Sequence, residues 1–227
     1  MLLDLTQYDR KYQLFIKTDS KNFPYNYNEF WKWKVKNEAE GASILDKEYI
    51  TETYDRLSQT LKLWQWHRPY TFSKLEERLK DALESIREPY NRIKQYSLLD
   101  FPSVPYQPLE EVWHKLGRVK ETEGKRKRSG YYLVMGITKA LMFLWGQTMA
   151  FDTVVRKCMP NFNRSDAKHS RWTYGLWRTM MLKLQADLKK QPKLIEHLNN
   201  LSLREYGETK IIPYGQFLDL YYWIDES

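Results

Sequence analysis

The chain has 227 residues, 42% of them hydrophobic and 29% charged, a composition that predicts a globular protein with a large core. Nine glycines are few for this length, which disfavours turn-rich β architectures. The formal net charge of +8 is consistent with an anionic partner, although a protein that is simply basic has the same charge.

Several protein classes are excluded by what the sequence lacks. A single cysteine, Cys158, excludes an internal disulfide and fits a reducing compartment. Four dispersed histidines (His67, His114, His169 and His197) show no metal-ligand spacing, so we expect neither a metal nor another cofactor. The first ten residues lack the basic-then-apolar order of a signal peptide, and no apolar run reaches the length of a membrane span. These features predict a cytoplasmic protein with no membrane partner.

Residues 1–42 are predicted to form an N-terminal arm whose secondary structure the sequence leaves open. Residues 12–17 (YQLFIK) are compatible with a short β-strand. Residues 30–35 (FWKWKV) alternate apolar and basic side chains, as an edge strand or a stacking platform does. The alternative is an arm that packs its aromatic side chains across the helices.

A helical subdomain is predicted for residues 43–100. Its first helix starts at Ser43, after which apolar side chains recur at a spacing of three and four residues. The next helix starts with the capping-box pair Ser73 and Glu76, and Pro89 suits the first turn of a further short helix.

A second helical subdomain, residues 109–227, is predicted to follow an extended linker at residues 101–108 (FPSVPYQP), where three prolines occur. Residues 118–130 are charged and bounded by glycine, which predicts a loop. Helices are predicted at residues 109–116, 137–145, 153–158, 170–190, 192–201 and 214–224. The whole chain is therefore predicted to be mainly α, with at most a short β element near the N-terminus.

One segment, residues 134–155, is almost wholly apolar and carries only two charged side chains, Lys139 and Asp152. Charged groups in a buried apolar segment are costly to desolvate unless they are paired. They mark either a structural ion pair or cap, or a site that uses shifted pKa values. Gly136 is predicted to form a turn before the central helix. Lys139 then lies in the first turn of that helix, and Asp152 caps the next one.

Basic residues flank the apolar segment in the sequence. They are Lys125, Arg126, Lys127 and Arg128 upstream and Arg156 and Lys157 downstream. Such side chains bind nucleic-acid phosphates without regard to sequence, and a glycine turn that opens a helix also presents N–H groups to a phosphate. The basic loop followed by the Gly136 turn therefore predicts a nucleic-acid-binding element, although a lone KRKR run is also compatible with a solvated loop.

Two motifs stand in this region, GITKA at residues 136–140 and AFDTVVRK at residues 150–157. They resemble the hairpin (G-x-G-x-K-x-A) and the aspartate-bearing segment of the helix-hairpin-helix base-excision DNA glycosylases. Residues 138–143 (TKALMF), 151–156 (FDTVVR) and 217–223 (FLDLYYW) also resemble elements of small bacterial relatives. The second hairpin glycine is absent, the lysine-to-aspartate interval is shorter than in lyase-active members, and one cysteine leaves no iron–sulfur ligand set.

The resemblance implies a helix-hairpin-helix glycosylase-like fold and a DNA glycosylase that removes a damaged or modified base, with modified bases of foreign or phage DNA as one option. It implies a catalytic role for the Asp152 carboxylate, because a carboxylate beside the sugar stabilises an oxocarbenium-like cation. Lys139 is either a nucleophile or a structural or phosphate-binding lysine. The expected DNA contacts are the flanking basic residues together with Gly136 and Thr138.

Each of these assignments has an alternative. Asp152 is a good helix N-cap without any catalysis, and Asp219 in the last helix is interpreted as a surface or pairing carboxylate. A base pocket needs aromatic walls, for which Trp145, Trp172 and Trp177 are candidates unless they belong to the core.

Two other functions remain open: a non-catalytic nucleic-acid-binding module, and a helical interaction protein whose basic loop binds an acidic partner. The sequence does not specify the oligomeric state.

Overall fold

The computed structural model describes residues 5–18, 23–39, 41–63, 73–119, 130–151, 155 and 173–223. The helices in these ranges are α1 (Leu5–Thr18), α2 (Phe23–Glu38), α3 (Ile50–Leu63), α4 (Ser73–Ile93), α5 (Tyr106–Arg118), α6 (Gly130–Trp145), α7 (Tyr174–Lys189), α8 (Pro192–Tyr206) and α9 (Tyr214–Trp223). A 3-10 helix, Leu98–Ser103, lies between α4 and α5, and the same ranges contain no strand. The prediction of a mainly α, multi-helix protein is confirmed. None of the described helices is long and apolar enough to cross a membrane.

The N-terminal arm is helical, so the short strands considered for residues 12–17 and 30–35 are wrong. Phe30 and Lys34 of α2 are both buried, and their spacing of four residues places them on one face of a helix. Phe30 meets Phe143 of α6 edge to face, with ring centroids 6.1 Å apart. The arm therefore packs aromatic side chains against other helices, as the alternative interpretation held.

α3 and α4 form where the periodicity predicts them, but two of their boundaries differ. α3 begins at Ile50 and not at Ser43, because the Asp46 carboxylate accepts a hydrogen bond from the Ser43 N–H (2.9 Å) and closes a turn ahead of the helix. α4 continues through Pro89, where the sequence predicts a separate short helix. A proline inside a helix costs roughly 3 kcal/mol. Burial of the adjacent apolar side chains, such as the fully buried Tyr90, offsets this cost.

The extended conformation predicted for residues 101–108 is also wrong. Phe101 is fully buried in the 3-10 helix, and α5 begins at Tyr106. Pro105 and Pro108 suit the start of α5, because the first turn of a helix has N–H groups without intrahelical partners and proline has no N–H. Buried residues of the arm, the linker and both predicted subdomains belong to one hydrophobic cluster. The division into subdomains stays a prediction.

α6 is the central helix, and residues 136–145 are buried on every side of it. It starts at Gly130, so Gly136 lies in its second turn and the predicted turn at Gly136 is wrong. A glycine inside a helix costs about 1 kcal/mol relative to alanine. Burial of neighbouring apolar side chains, Val134 and Ile137 among them, outweighs that cost and continues the helix through the glycine.

The turn that follows α6 joins distant parts of the fold. Gly146 adopts a φ of +74°, and its carbonyl accepts a hydrogen bond from the Gln216 N–H of α9 (3.1 Å). The side chain of Gln147 is fully buried. Its oxygen accepts from the Leu98 N–H at 2.6 Å, and its nitrogen donates to the Ile212 carbonyl at 2.9 Å. One side chain therefore connects this turn to the 3-10 helix and to the segment before α9.

α9 approaches the turn so closely that only glycine fits at Gly215. A Cβ atom there would lie 2.3 Å from the carbonyl carbon of Gln147 and 2.4 Å from the nitrogen of Thr148. Gly175 is also the second residue of its helix, but the nearest atom to a Cβ at that position would be 3.9 Å away. The two glycines form a matched pair in which only the space around them differs.

We expect alanine to have opposite effects at these two glycines. Gly175→Ala should leave stability unchanged or raise it by up to about 1 kcal/mol, because alanine restricts the unfolded chain and favours helix. Gly215→Ala should lower the free energy of unfolding by about 2 kcal/mol or more, because the clash is with backbone that cannot rotate away. Urea unfolding of both variants measures this difference. Equal stabilities would show that α9 does not pack against the turn in this way.

Candidate functional site

The structure describes only some of the site residues that the sequence predicts. Gly136, Thr138 and Lys139 lie on α6. Lys125, Arg126, Lys127, Arg128, Asp152, Arg156 and Lys157 lie outside the described residues. Trp172 lies outside them as well, whereas Trp145 and Trp177 are buried core residues.

The position of Gly136 within α6 changes its expected role. Beyond the first turn of an α-helix, each N–H donates to the carbonyl four residues earlier. The Gly136 N–H therefore cannot open a phosphate site at a helix N-terminus, and that prediction is wrong. Lys139 correspondingly lies in the third turn of α6 and not in the first. Lys139 is only 6% exposed, so it is a buried residue.

Thr138 connects α6 to the segment that precedes Asp152. Its hydroxyl donates to the Val134 carbonyl at 2.8 Å and accepts from the Phe151 N–H at 3.0 Å. The side chain is fully buried, so Thr138 is an internal contact and not the surface contact to DNA that was expected. Its function in the structure is to hold the Phe151 backbone against α6.

Asp219 of α9 holds the adjacent residue of the same segment. Its Oδ1 accepts a hydrogen bond from the Ala150 N–H at 2.7 Å, and the side chain is fully buried. The interpretation of Asp219 as a surface carboxylate is therefore wrong, because its carboxyl group is a buried acceptor for a backbone N–H. Together Asp219 and Thr138 engage the N–H groups of both residues that directly precede Asp152. The sequence carried a signal for Asp219 in the form of a carboxylate within the apolar run FLDLYYW.

A group of aromatic side chains leads from the surface to this segment. Tyr106 is 48% exposed and meets Tyr174 edge to face, with ring centroids 5.1 Å apart. Tyr174 is followed inward by Trp177, whose indole N–H donates to the Thr148 hydroxyl at 3.2 Å. Trp177 also packs on Trp113 with ring centroids 4.8 Å apart. The hydrogen bond from Trp177 holds the Thr148 hydroxyl, and the ring contacts hold Trp177.

The arrangement offers a preorganised backbone directly before Asp152. Within the described ranges, no group of three or more histidine, cysteine, aspartate or glutamate side chains could hold a metal ion. No protein-family model, no curated protein and no solved structure matches the chain. The functional argument therefore depends on the residues themselves, and the resemblance to glycosylases stays a prediction.

We expect the Thr138 hydroxyl to control the opening of the segment before Asp152. Thr138→Val keeps the shape of the side chain but leaves the buried Phe151 N–H without its acceptor, which costs about 1–3 kcal/mol. Hydrogen exchange of the Phe151 amide should therefore accelerate by roughly tenfold or more. Thr138→Ser serves as the control, because it keeps the hydroxyl and should keep the amide protected. Equal protection in both variants would show that this hydrogen bond does not hold the segment.

Proposed function

We propose that the protein is a DNA glycosylase of the helix-hairpin-helix type that removes a damaged or modified base, with the Asp152 carboxylate as its catalytic group. One observation carries the proposal: the N–H groups of Ala150 and Phe151, the two residues before Asp152, are held by buried side chains of α9 and α6. A catalytic carboxylate must be oriented before the reaction, because its contribution comes from preorganisation.

The proposed chemistry needs one carboxylate and one water molecule. As the bond between the base and C1′ of the sugar breaks, the base leaves with the bonding electrons and positive charge develops on the sugar. The Asp152 carboxylate stabilises this cation and accepts a proton from the water that attacks C1′. The products are a free base, protonated by solvent, and an abasic strand. The base must leave the stack before this reaction.

Water, and not Lys139, is the proposed nucleophile. A lysine that attacks C1′ must bring its nitrogen to the sugar, whereas Lys139 is only 6% exposed in the third turn of a helix that is buried on every side. The interval between Lys139 and Asp152, which is shorter than in lyase-active glycosylases, supports the same assignment.

DNA binding in this proposal depends on basic side chains and not on a glycine turn. Gly136 lies inside α6, so the phosphate contacts fall to the flanking residues Lys125, Arg126, Lys127, Arg128, Arg156 and Lys157. The net charge of +8 favours such binding.

The catalytic part of the proposal predicts a large effect of Asp152→Asn on base release. The wild-type protein is incubated with duplexes that each contain one uracil, alkylated purine, oxidised purine or hydroxymethylated pyrimidine. Asp152→Asn should reduce release from the active duplex by about a hundredfold or more, because an oriented charge beside a developing cation is lost. DNA affinity should remain, since asparagine also caps helices.

Asp81→Asn on the exposed face of α4 is the matched control, because it changes the net charge equally. Borohydride should trap no protein–DNA adduct with the wild-type protein, since water is the nucleophile. An adduct that disappears in Lys139→Gln would reverse that assignment. If Asp152→Asn and the wild type release the base at equal rates, Asp152 is a helix cap and not a catalytic group. DNA binding without release from any duplex would favour the non-catalytic binding module.

The binding part of the proposal predicts a salt-dependent affinity for duplex DNA. Replacing Lys125, Arg126, Lys127 and Arg128 by alanine should flatten the slope of log affinity against log salt by up to about 3.6, or about 0.9 for each phosphate that is no longer neutralised. The control replaces four exposed lysines of α7, α8 and their connection, Lys183, Lys189, Lys190 and Lys193. Equal slopes for the two variants would show that charge alone, and not the basic run, binds the DNA.

A further inference from the structure

A pocket of about 750 Å³ opens at the C-terminal ends of α2 and α4, beside the segment between α8 and α9. We call it the lysine pocket, because Lys34, Lys94 and Lys210 line it. Trp31, Val35 and Ile211 contribute apolar surface to the same walls. The volume falls in the range of pockets that bind small organic molecules. None of the residues predicted from the sequence to bind DNA or to act in catalysis lines this pocket.

Lys34 is the most buried of the three lysines and already has partners. Its side chain forms an ion pair with Glu38, and its ammonium lies 4.8 Å from the centre of the Trp31 ring. Burial lowers the pKa of Lys34, Glu38 opposes the shift, and the positive charge of Lys94 adds to it. Glu38 in turn accepts a hydrogen bond from the Ile44 N–H at 3.3 Å. This pair has a structural role, since it joins the end of α2 to the turn that follows.

Three lysines and two glutamates, Glu38 and Glu208, line the pocket, so its lining carries a formal net charge of +1. Lys94 donates to the Ala42 carbonyl at 2.5 Å, and in the described part of the chain neither Lys94 nor Lys210 forms an ion pair with a carboxylate. Lys94 follows the end of α4, where a cation also interacts with the helix dipole, but that dipole amounts to only about half an elementary charge.

We propose that the lysine pocket binds a small organic anion, whose carboxylate, sulfonate or phosphate group contacts Lys94 and Lys210 and whose flat apolar body lies against Val35 and Ile211. An anion in the pocket forms charge-assisted hydrogen bonds with the Lys94 and Lys210 ammonium groups. The apolar walls favour an organic ligand over an inorganic ion. This site is separate from the proposed catalytic centre, and neither proposal depends on the other.

Calorimetry with three probes tests which chemical class of ligand the lysine pocket binds. Naphthalene-2-sulfonate has both a flat apolar body and an anionic group, 2-naphthol has the body alone, and inorganic phosphate has the charge alone. The sulfonate should bind at least roughly tenfold more tightly than either of the others, because each lacks one of the two contributions. Equal affinity for the sulfonate and the naphthol would overturn the proposal, and so would the absence of sulfonate binding at millimolar concentration.

Variants of Lys94 and Lys210 test whether the anion binds in the lysine pocket. Lys94→Gln combined with Lys210→Gln should weaken sulfonate binding by roughly tenfold or more, since charge-assisted hydrogen bonds are removed. Lys47→Gln combined with Lys183→Gln removes the same charge from exposed positions outside the pocket and should bind like the wild type. Unfolding in urea shows whether both variants are folded. A folded pocket variant with wild-type affinity would place the bound anion elsewhere and refute the assignment.

Discussion

The segment between Gly146 and Phe151 is buried throughout, so its backbone polar groups must find partners inside the protein. It has no helix or sheet to supply them. The Ala150 and Phe151 N–H groups donate to side chains of Asp219 and Thr138, and the Gly146 carbonyl accepts from the backbone of α9. Satisfying these groups brings α6 and α9 to fixed positions around the segment. α9 can approach the segment this closely only because residue 215 is a glycine and has no Cβ atom.

Ionisable side chains in the interior balance the cost of burial in two ways. The Lys34–Glu38 pair joins opposite charges within one helix and adds a hydrogen bond from the backbone of Ile44. Asp219 uses its carboxyl group as a hydrogen-bond acceptor for the Ala150 N–H. Losing one member of such an arrangement leaves the other desolvated, which is costlier than losing both.

The hydrogen bonds that Asp219 and Thr138 accept from the Ala150 and Phe151 N–H groups are the physical basis of the proposed function. Catalysis by a carboxylate requires that the group be oriented before the substrate arrives, and the residues that lead to Asp152 are held from two helices. The lysine pocket has a different character. There Lys94 and Lys210 lie after a helix end and in a loop, and long lysine side chains can adjust to a ligand. The first arrangement suits a fixed reaction geometry, and the second suits the binding of a small anion.

The sequence by itself determined the helical class, most helix positions and the central place of α6, because these depend on local periodicity and on an apolar run that must be buried. The predictions made from glycine and proline were wrong at Gly136, Pro89 and residues 101–108. At these positions tertiary packing outweighed a local backbone preference of a few kcal/mol. Only the tertiary structure decided the partners of Thr138 and Asp219, which lie 13 and 69 residues from the backbone groups they bind. It also decided that Lys34, Lys94 and Lys210 share one pocket. Such contacts join residues far apart in the chain, and local periodicity contains no information about which of them meet.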